Sequence, residues 1–483
     1  MRVTYFMHFF GLLIFVCPFY ICSQTFTIQP DKASFGIDKK HKIIVWNYKI
    51  ADSLSSSKST VQIKFRNDFT CAIPANTLSY SRSYELIHEQ DTYKLYITAL
   101  PLIKITTTLP VVDDPKVPSR FTFSHHNDMK EAVAGIEFRG NISLKFPKKS
   151  YDLEFWENDT DDTSIDVQFG HLRSDDDWIL DGLYNEPLRL RSYFCNTLWL
   201  SIHKPHYINN AKEAKSGIDG LFAEVFLDSQ YIGLHTLTEQ VDRKLLQLKK
   251  IASGKVHGEL FKAGSHNGAP SYTVAPKYKN IFPHWAGYEM EYPVVNYKSH
   301  WQNIYRFTKF VLNAKPSTFK KKVSKKFNLD NAIDYFLFIN LVRATDNLGK
   351  NFYVARFDKN TPYFNVPWDL DGVLGTIQDG KRIATTNDIL SNGLFDRLLE
   401  DNPDNYRQRL KKRWFTLRRN EFSNQALLDK LLTSYAYFEK NKVYEREMIV
   451  WPLQKPIEDH KTYMVSWISD RVQFLDGYFQ AFE

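Results

Sequence analysis

The spacing of apolar side chains changes character along the chain. In residues 42–48, 60–65 and 92–98, Val, Ile, Tyr, Phe and Thr recur in short runs, and polar turns such as Ser55-Ser56-Ser57 separate them. Runs of this kind with no helical period predict strands, so 24–98 reads as a small all-β, sandwich-like module. Further strands are expected at 100–108, 178–183 and 258–263, and at 221–227 and 231–237 about the turn Asp228-Ser229-Gln230. Residues 135–155 read as two strands joined by Arg139-Gly140-Asn141-Ile142-Ser143. A helix is expected at 186–201, with Pro187 in its first turn, and a short one at 244–250. From residue 299 the apolar spacing becomes three and four, which predicts helices at 300–314, 330–345, 389–400, 402–418 and 424–442.

One stretch inside the helical half keeps a period of two. Residues 351–357 and 363–368 alternate, and Asp358-Lys359-Asn360-Thr361-Pro362 lies between them, which is a hairpin signal. A turn centred on Asn360 sets Asn351 opposite Asp369. Opposed side chains lie roughly 4.5–5.5 Å apart at Cβ, so the pair would offer two oxygens to one hard cation such as Mg²⁺. A slip of one residue would undo that pairing. Asp346 sits in the loop between the apolar segment 332–342 and this hairpin, free to act as a base. Lys149 shares strand parity with Tyr151, Leu153 and Phe155. An inward lysine needs an anionic partner, because an unpaired buried charge is costly, and a phosphate would serve. The other reading is a strand-end lysine that reaches solvent.

Composition narrows the class. The chain has 483 residues, 43% of them hydrophobic and 15% aromatic, which suits two domains with a substantial core. Its 63 basic and 55 acidic residues give a net charge of +8 with both signs interspersed, a bias compatible with anionic ligands and not pointing to nucleic acid. Arg2, the apolar run 5–21 and the small residue Ser23 describe a secretory signal over 1–23. Pro18 breaks that run, and no later segment is long and apolar enough to cross a bilayer. The protein is therefore expected to be exported, whether periplasmic, surface-bound or secreted. Cys71 and Cys195 lie outside the signal and make no disulfide framework. The acidic loop 158–166 lacks the Gly and Glu of a calcium loop and reads as solvated. Gly264-Ser265-His266-Asn267-Gly268 lacks the glycine two residues before the serine that a hydrolase elbow needs. His203 and His206 are too isolated to argue for zinc. The glycine-containing loop 264–276 could flank a ligand.

Several motifs in order resemble the spore-coat protein H (CotH) kinase family. They are Arg139-Gly140-Asn141-Ile142-Ser143, then Pro147-Lys148-Lys149-Ser150-Tyr151, and Trp178-Ile179-Leu180 with Glu186 and Arg191. Next come Tyr231-Ile232-Gly233-Leu234, Leu237 to Arg243, Asp346 with Lys350-Asn351, and Pro367-Trp368-Asp369-Leu370-Asp371. Ile142 replaces a serine of the family pattern, and Glu186 stands where Asp is more frequent. The resemblance implies an α+β fold: a two-lobed atypical protein-kinase-like domain over 99–483, β-rich first and helical after, preceded by the all-β module. It implies ATP and Mg²⁺ as cofactors and a protein Ser/Thr hydroxyl as acceptor. Asp346 would accept the hydroxyl proton or position the nucleophile, and Asn351 and Asp369 would hold Mg²⁺, as in the spacing kinases use. Lys149, with Lys148 as the alternative, would pair with the phosphates. Glu239, in the link 238–241, and Glu186 would belong to the ATP site. Asp371 would either assist the metal or cap the turn at Gly372. Two other functions stay open: transfer of the nucleotide (AMP), and a non-catalytic surface protein with a kinase-like domain.

Overall fold

The computed structural model describes residues 25–55, 59–66, 69–274, 276–295 and 300–482. The signal expected at 1–23 lies outside them. Strands Thr25–Ile28, Thr60–Lys64 and Thr70–Pro74 form one small sheet, and Phe35–Asp38, Ile43–Asn47, Asp91–Thr98 and Ser83–His88 form another. Phe35, Trp46, Ile63, Tyr93 and Ile97 fill the space between them. The strand Ile43–Asn47 is buried along its whole length. Its alternate residues Ile43 and Val45 pack outward, with Tyr96, onto Leu102, Phe226 and Tyr231.

Those last three belong to a closed seven-stranded barrel. Around it run Asp128–Arg139, Ser150–Trp156, Asp177–Asp181, Gln230–Thr238, Gly220–Leu227, Leu102–Thr107 and Val117–His125. Alternation along each strand sends Phe121, Phe155, Trp178, Leu180, Val225 and Leu237 into the barrel, where they close it with their own bulk. The residues between them face outward, and that outer face matters for the site.

The hairpin expected among the helices is the edge of a second sheet. Its strands are His284–Trp285, Tyr288–Tyr292, Glu259–Gly264, Lys350–Arg356 and Tyr363–Pro367 in that spatial order, all antiparallel. Helices Gln302–Asn313, Leu329–Val342, Gly393–Asp401, Tyr406–Arg418, Asn424–Lys440, Val443–Val450 and Ile457–Gln480 surround it. Leu329–Val342 is the axis of the helical core, with every residue but Asp330 buried. Asn328 caps it by accepting from the Asn331 amide, and Arg343 ends it in the left-handed region. The molecule is α+β, with strands dominating up to Tyr292 and helices from Gln302 on.

Two expected helices differ. Residues 244–250 form turns, because Gln247 takes a φ of 47° and seven residues are too few to hold a helix without a continuous buried face. The helix expected from 186 begins at Arg191, since Glu186 folds back on the amides of Leu190 and Arg191. Cys71 and Cys195 are free thiols in separate cores. Among the described residues no helix is long and apolar enough to cross a membrane.

Candidate active site

The outer face of the barrel and the second sheet enclose a cavity of about 520 Å³. The barrel wall follows from strand register. Arg139 pairs with Ser150, the Ser150 hydroxyl donates to Asp181 Oδ1 at 3.2 Å, and Asp181 pairs with Thr236. These four line the cavity as one row across four strands. A second row, Ile179, Thr238 and Gly220, continues it. Helix Arg191–Ile202 adds Ser192, Tyr193, Asn196 and Thr197 to the same end.

The opposite wall carries Asp346, Lys350, Asn351 and Trp368 to Asp371. Here the expected register is wrong by one residue. Phe352 pairs with Pro367, and the Trp368 amide donates to the Asn351 carbonyl, so Asn351 faces Trp368 and not Asp369. The offset is the same from Arg356–Tyr363 at the turn to Phe352–Pro367, so it is set by the loop 357–362, whose centre falls between Lys359 and Asn360 and not on Asn360. Asn351 is the extra residue of a bulge against Glu259–Gly264, where Ala263 pairs with Phe352 and Gly264 with Lys350. Its φ is 59° and that of Asp369 is 54°, both left-handed. Both residues nevertheless line the cavity. Asn347, which the sequence reading passed over, ties the two strand ends together. Its buried side-chain amide donates to the carbonyls of Asn351 and, at 3.0 Å, of Trp368, while Tyr335 donates to its own carbonyl at 2.9 Å.

Asp346 is half-buried between Lys350, whose Nζ lies 2.8 Å from Oδ2, and the His266 imidazole, whose Nε2 lies 3.5 Å from Oδ1. Asn351 Nδ2 lies 3.5 Å from Oδ2. Asp369 is exposed to the cavity. Desolvation by the surrounding walls, then Asp181 and Asp346, raises its pKa, with Arg139 and Lys350 opposing. Desolvation and Asp369 push Asp371 up as well, although Asn185 donates to it at 2.7 Å. A carboxylate-rich pocket of this kind favours a cation.

The lysine assignment changes. Lys149 does not line the cavity; its ammonium donates to the Leu144 carbonyl at 2.6 Å and lies over the Phe138 ring. Parity with Tyr151, Leu153 and Phe155 points toward the barrel interior, which apolar side chains already fill. Lys148, the alternative, has the opposite parity and lines the cavity. It is fully buried, donating to Glu447 Oε1 at 2.8 Å and the Leu234 carbonyl at 2.6 Å. Burial lowers its pKa to about 8 even with Glu447 against it.

Glu239 and Glu186 also stay out of the cavity lining. Glu239 is buried, accepting from the amides of Arg173 and Asp219, both at 3.0 Å, and from Lys215 at 2.5 Å. Thr238, its neighbour in the link 238–241, does line the cavity. Glu186 caps the start of its helix, and burial pushes it up to about 7 against the pull of Arg191. Both acids hold backbone that frames the cavity. Asp181 and Asn185 were missed by the sequence reading. Inward Trp178 and Leu180 imply an outward Asp181, so the strand pattern held that signal.

A family model described as CotH kinase protein matches residues 136–475. A comparison with curated proteins found no match. The matched segment runs from just before Arg139, past Asp346, Asn351 and Asp369, to beyond Glu447, and it covers well over half of the chain. The chain belongs to the CotH kinase family.

Proposed function

We propose that this protein is an exported, Mg²⁺-dependent kinase that transfers the γ-phosphate of ATP to Ser or Thr hydroxyls of a secreted or surface protein. The observation that carries the reading is the convergence of Asp346, Asn351, Asp369 and Lys148 on one cavity large enough for a nucleotide. The barrel would serve as the first lobe and the helical core as the second, with the cleft between them. The donor set fits Mg²⁺. Asp369 and the Asn351 amide carbonyl are hard oxygen ligands, and the pKa values of Asp369 and Asp371 are raised by desolvation first and by neighbouring carboxylates second. Asp371 would assist or stay with Asn185. When bound, the ion supplies charge neutralisation on the phosphates.

The chain's own groups do the positioning. Asp346 holds the acceptor hydroxyl and takes its proton, with Lys350 and His266 fixing the carboxylate. Lys148 presents a point charge to phosphate oxygens from a socket built by Glu447 and the Leu234 carbonyl. Phosphoryl transfer asks little covalent chemistry of protein groups, so charge placement supplies most of the acceleration.

The test is incubation with Mg²⁺, a protein acceptor, and ATP labelled at either the γ or the α phosphate. Incorporation from γ supports the kinase, and incorporation from α replaces it with nucleotide transfer. Binding without transfer favours a non-catalytic surface protein, and failure to bind ATP sinks both transferase readings. Asp369→Ala is expected to lose transfer by about a hundredfold or more; full activity in that variant would refute the metal assignment.

A further inference from the structure

Four Lys and Arg side chains line the cavity: Arg139, Lys148, Lys262 and Lys350. Lys148 is paired with Glu447 and Lys350 with Asp346, each at 2.8 Å. Lys262 faces Glu289 and Glu291 at 3.9 and 4.0 Å. Arg139 differs. Among the described residues its guanidinium has no carboxylate within 4 Å and makes no hydrogen bond; its contact is the face of Trp368, 5.6 Å to the ring centroid. It is half-buried at the last position of its strand, directly opposite Ser150, and the chain then turns away through Gly140 at φ 103°.

The half-buried guanidinium turns its five donors, taken by no protein group, to a cavity where a ligand can take them. The ring beneath it restricts the plane, leaving the fork that matches two oxygens of one phosphate. We infer that Arg139 grips the polyphosphate chain of the nucleotide and gives the cavity its preference for a triphosphate over a monophosphate. The inference rests on the nucleotide reading above. Its rival is a purely internal role, in which Arg139 is only the counter-charge of Asp369.

Calorimetry on the purified full chain at fixed Mg²⁺ separates the two, using ATP, AMP and inorganic tripolyphosphate as probes. Arg139→Gln is expected to weaken ATP and tripolyphosphate by about tenfold or more while changing AMP by less than about threefold. Arg139→Lys is expected to recover only part of the loss, because an ammonium lacks the planar fork. Arg139 makes no hydrogen bond, so both variants should keep the parent melting temperature. Equal weakening of ATP and AMP, or no weakening of either, overturns the inference. So does tighter Mn²⁺ binding with the triphosphate preference intact, which is the signature of the counter-charge role. If the parent protein binds tripolyphosphate through Arg139 but neither nucleotide, the nucleotide reading fails alone. If it binds none of the three, both fall.

Discussion

Lys148 is held as a cation by a narrow margin. Burial alone would strip its proton, and burial alone would protonate Glu447; each keeps the other charged, and Lys148 with Arg189 holds Glu447 at about 2. The consequence for pH follows from the lysine value of about 8. On the proposed phosphate role, Lys148 carries its charge below that value and loses it above, while Glu447 remains an anion. Nucleotide affinity is therefore expected to fall as pH rises through about 8, measured by titration between pH 6.5 and 9.5, and Lys148→Met should flatten that profile. Lys148→Met is also expected to weaken ATP binding by about tenfold or more, and Lys149→Met by less than about threefold. The reverse order would return the phosphate role to Lys149. Sequence alone could not separate the neighbours. Both precede the same strand, and only the closed barrel decides that the interior parity is apolar and the exterior parity faces the cavity. Asp346, Asn351 and Asp369 were legible because their spacing along the chain survives any change of side-chain direction.

The hairpin of Lys350–Arg356 and Tyr363–Pro367 shows why an element can be recognised and its register still missed. Alternation and the 358–362 turn located both strands to within a residue of Lys350–Arg356 and Tyr363–Pro367. The register is set at the other end of the strands, where the loop 357–362 closes on the pair Arg356–Tyr363, and alternation does not fix the centre of such a loop. Asn347 is what keeps the bulged end and the Asp369 end at a fixed separation. Asn347→Ala would leave two buried carbonyls without that donor, at a cost of about 1–3 kcal/mol. Urea unfolding is expected to show that loss, and Mg²⁺-dependent binding should weaken more than metal-free binding. A variant with parent stability would mean that the two strand ends need no tie. The same limit explains the segment 244–250, where Leu245, Leu246 and Leu248 are buried one by one and never as a helical stripe.

At the scale of the molecule the all-β module is not a loosely tethered appendage. Ile43, Val45 and Tyr96 cover Leu102, Phe226 and Tyr231 of the barrel. Deleting residues 25–98 would bare that apolar surface, so the truncated chain is expected to aggregate or self-associate in size-exclusion chromatography; a monodisperse, fully stable product would show that the contact is dispensable. Strand-rich and helix-rich halves were readable from periodicity. This contact was not, because the two surfaces only meet after folding. The module also touches the helix Val443–Val450, where three successive residues reach three places. Glu445 accepts from Tyr96 at 3.0 Å, Arg446 pairs with Glu224 of the barrel, and Glu447 sockets Lys148. Lys148 and Glu447 are 299 positions apart. During synthesis, then, the lysine is made long before the acid that seats it, and Asp346, Asn351 and Asp369 all precede that acid too. On the proposed function, an unfinished or C-terminally clipped chain would possess Asp346, Asn351 and Asp369 and still leave Lys148 unseated, which would tie activity to completion of the polypeptide.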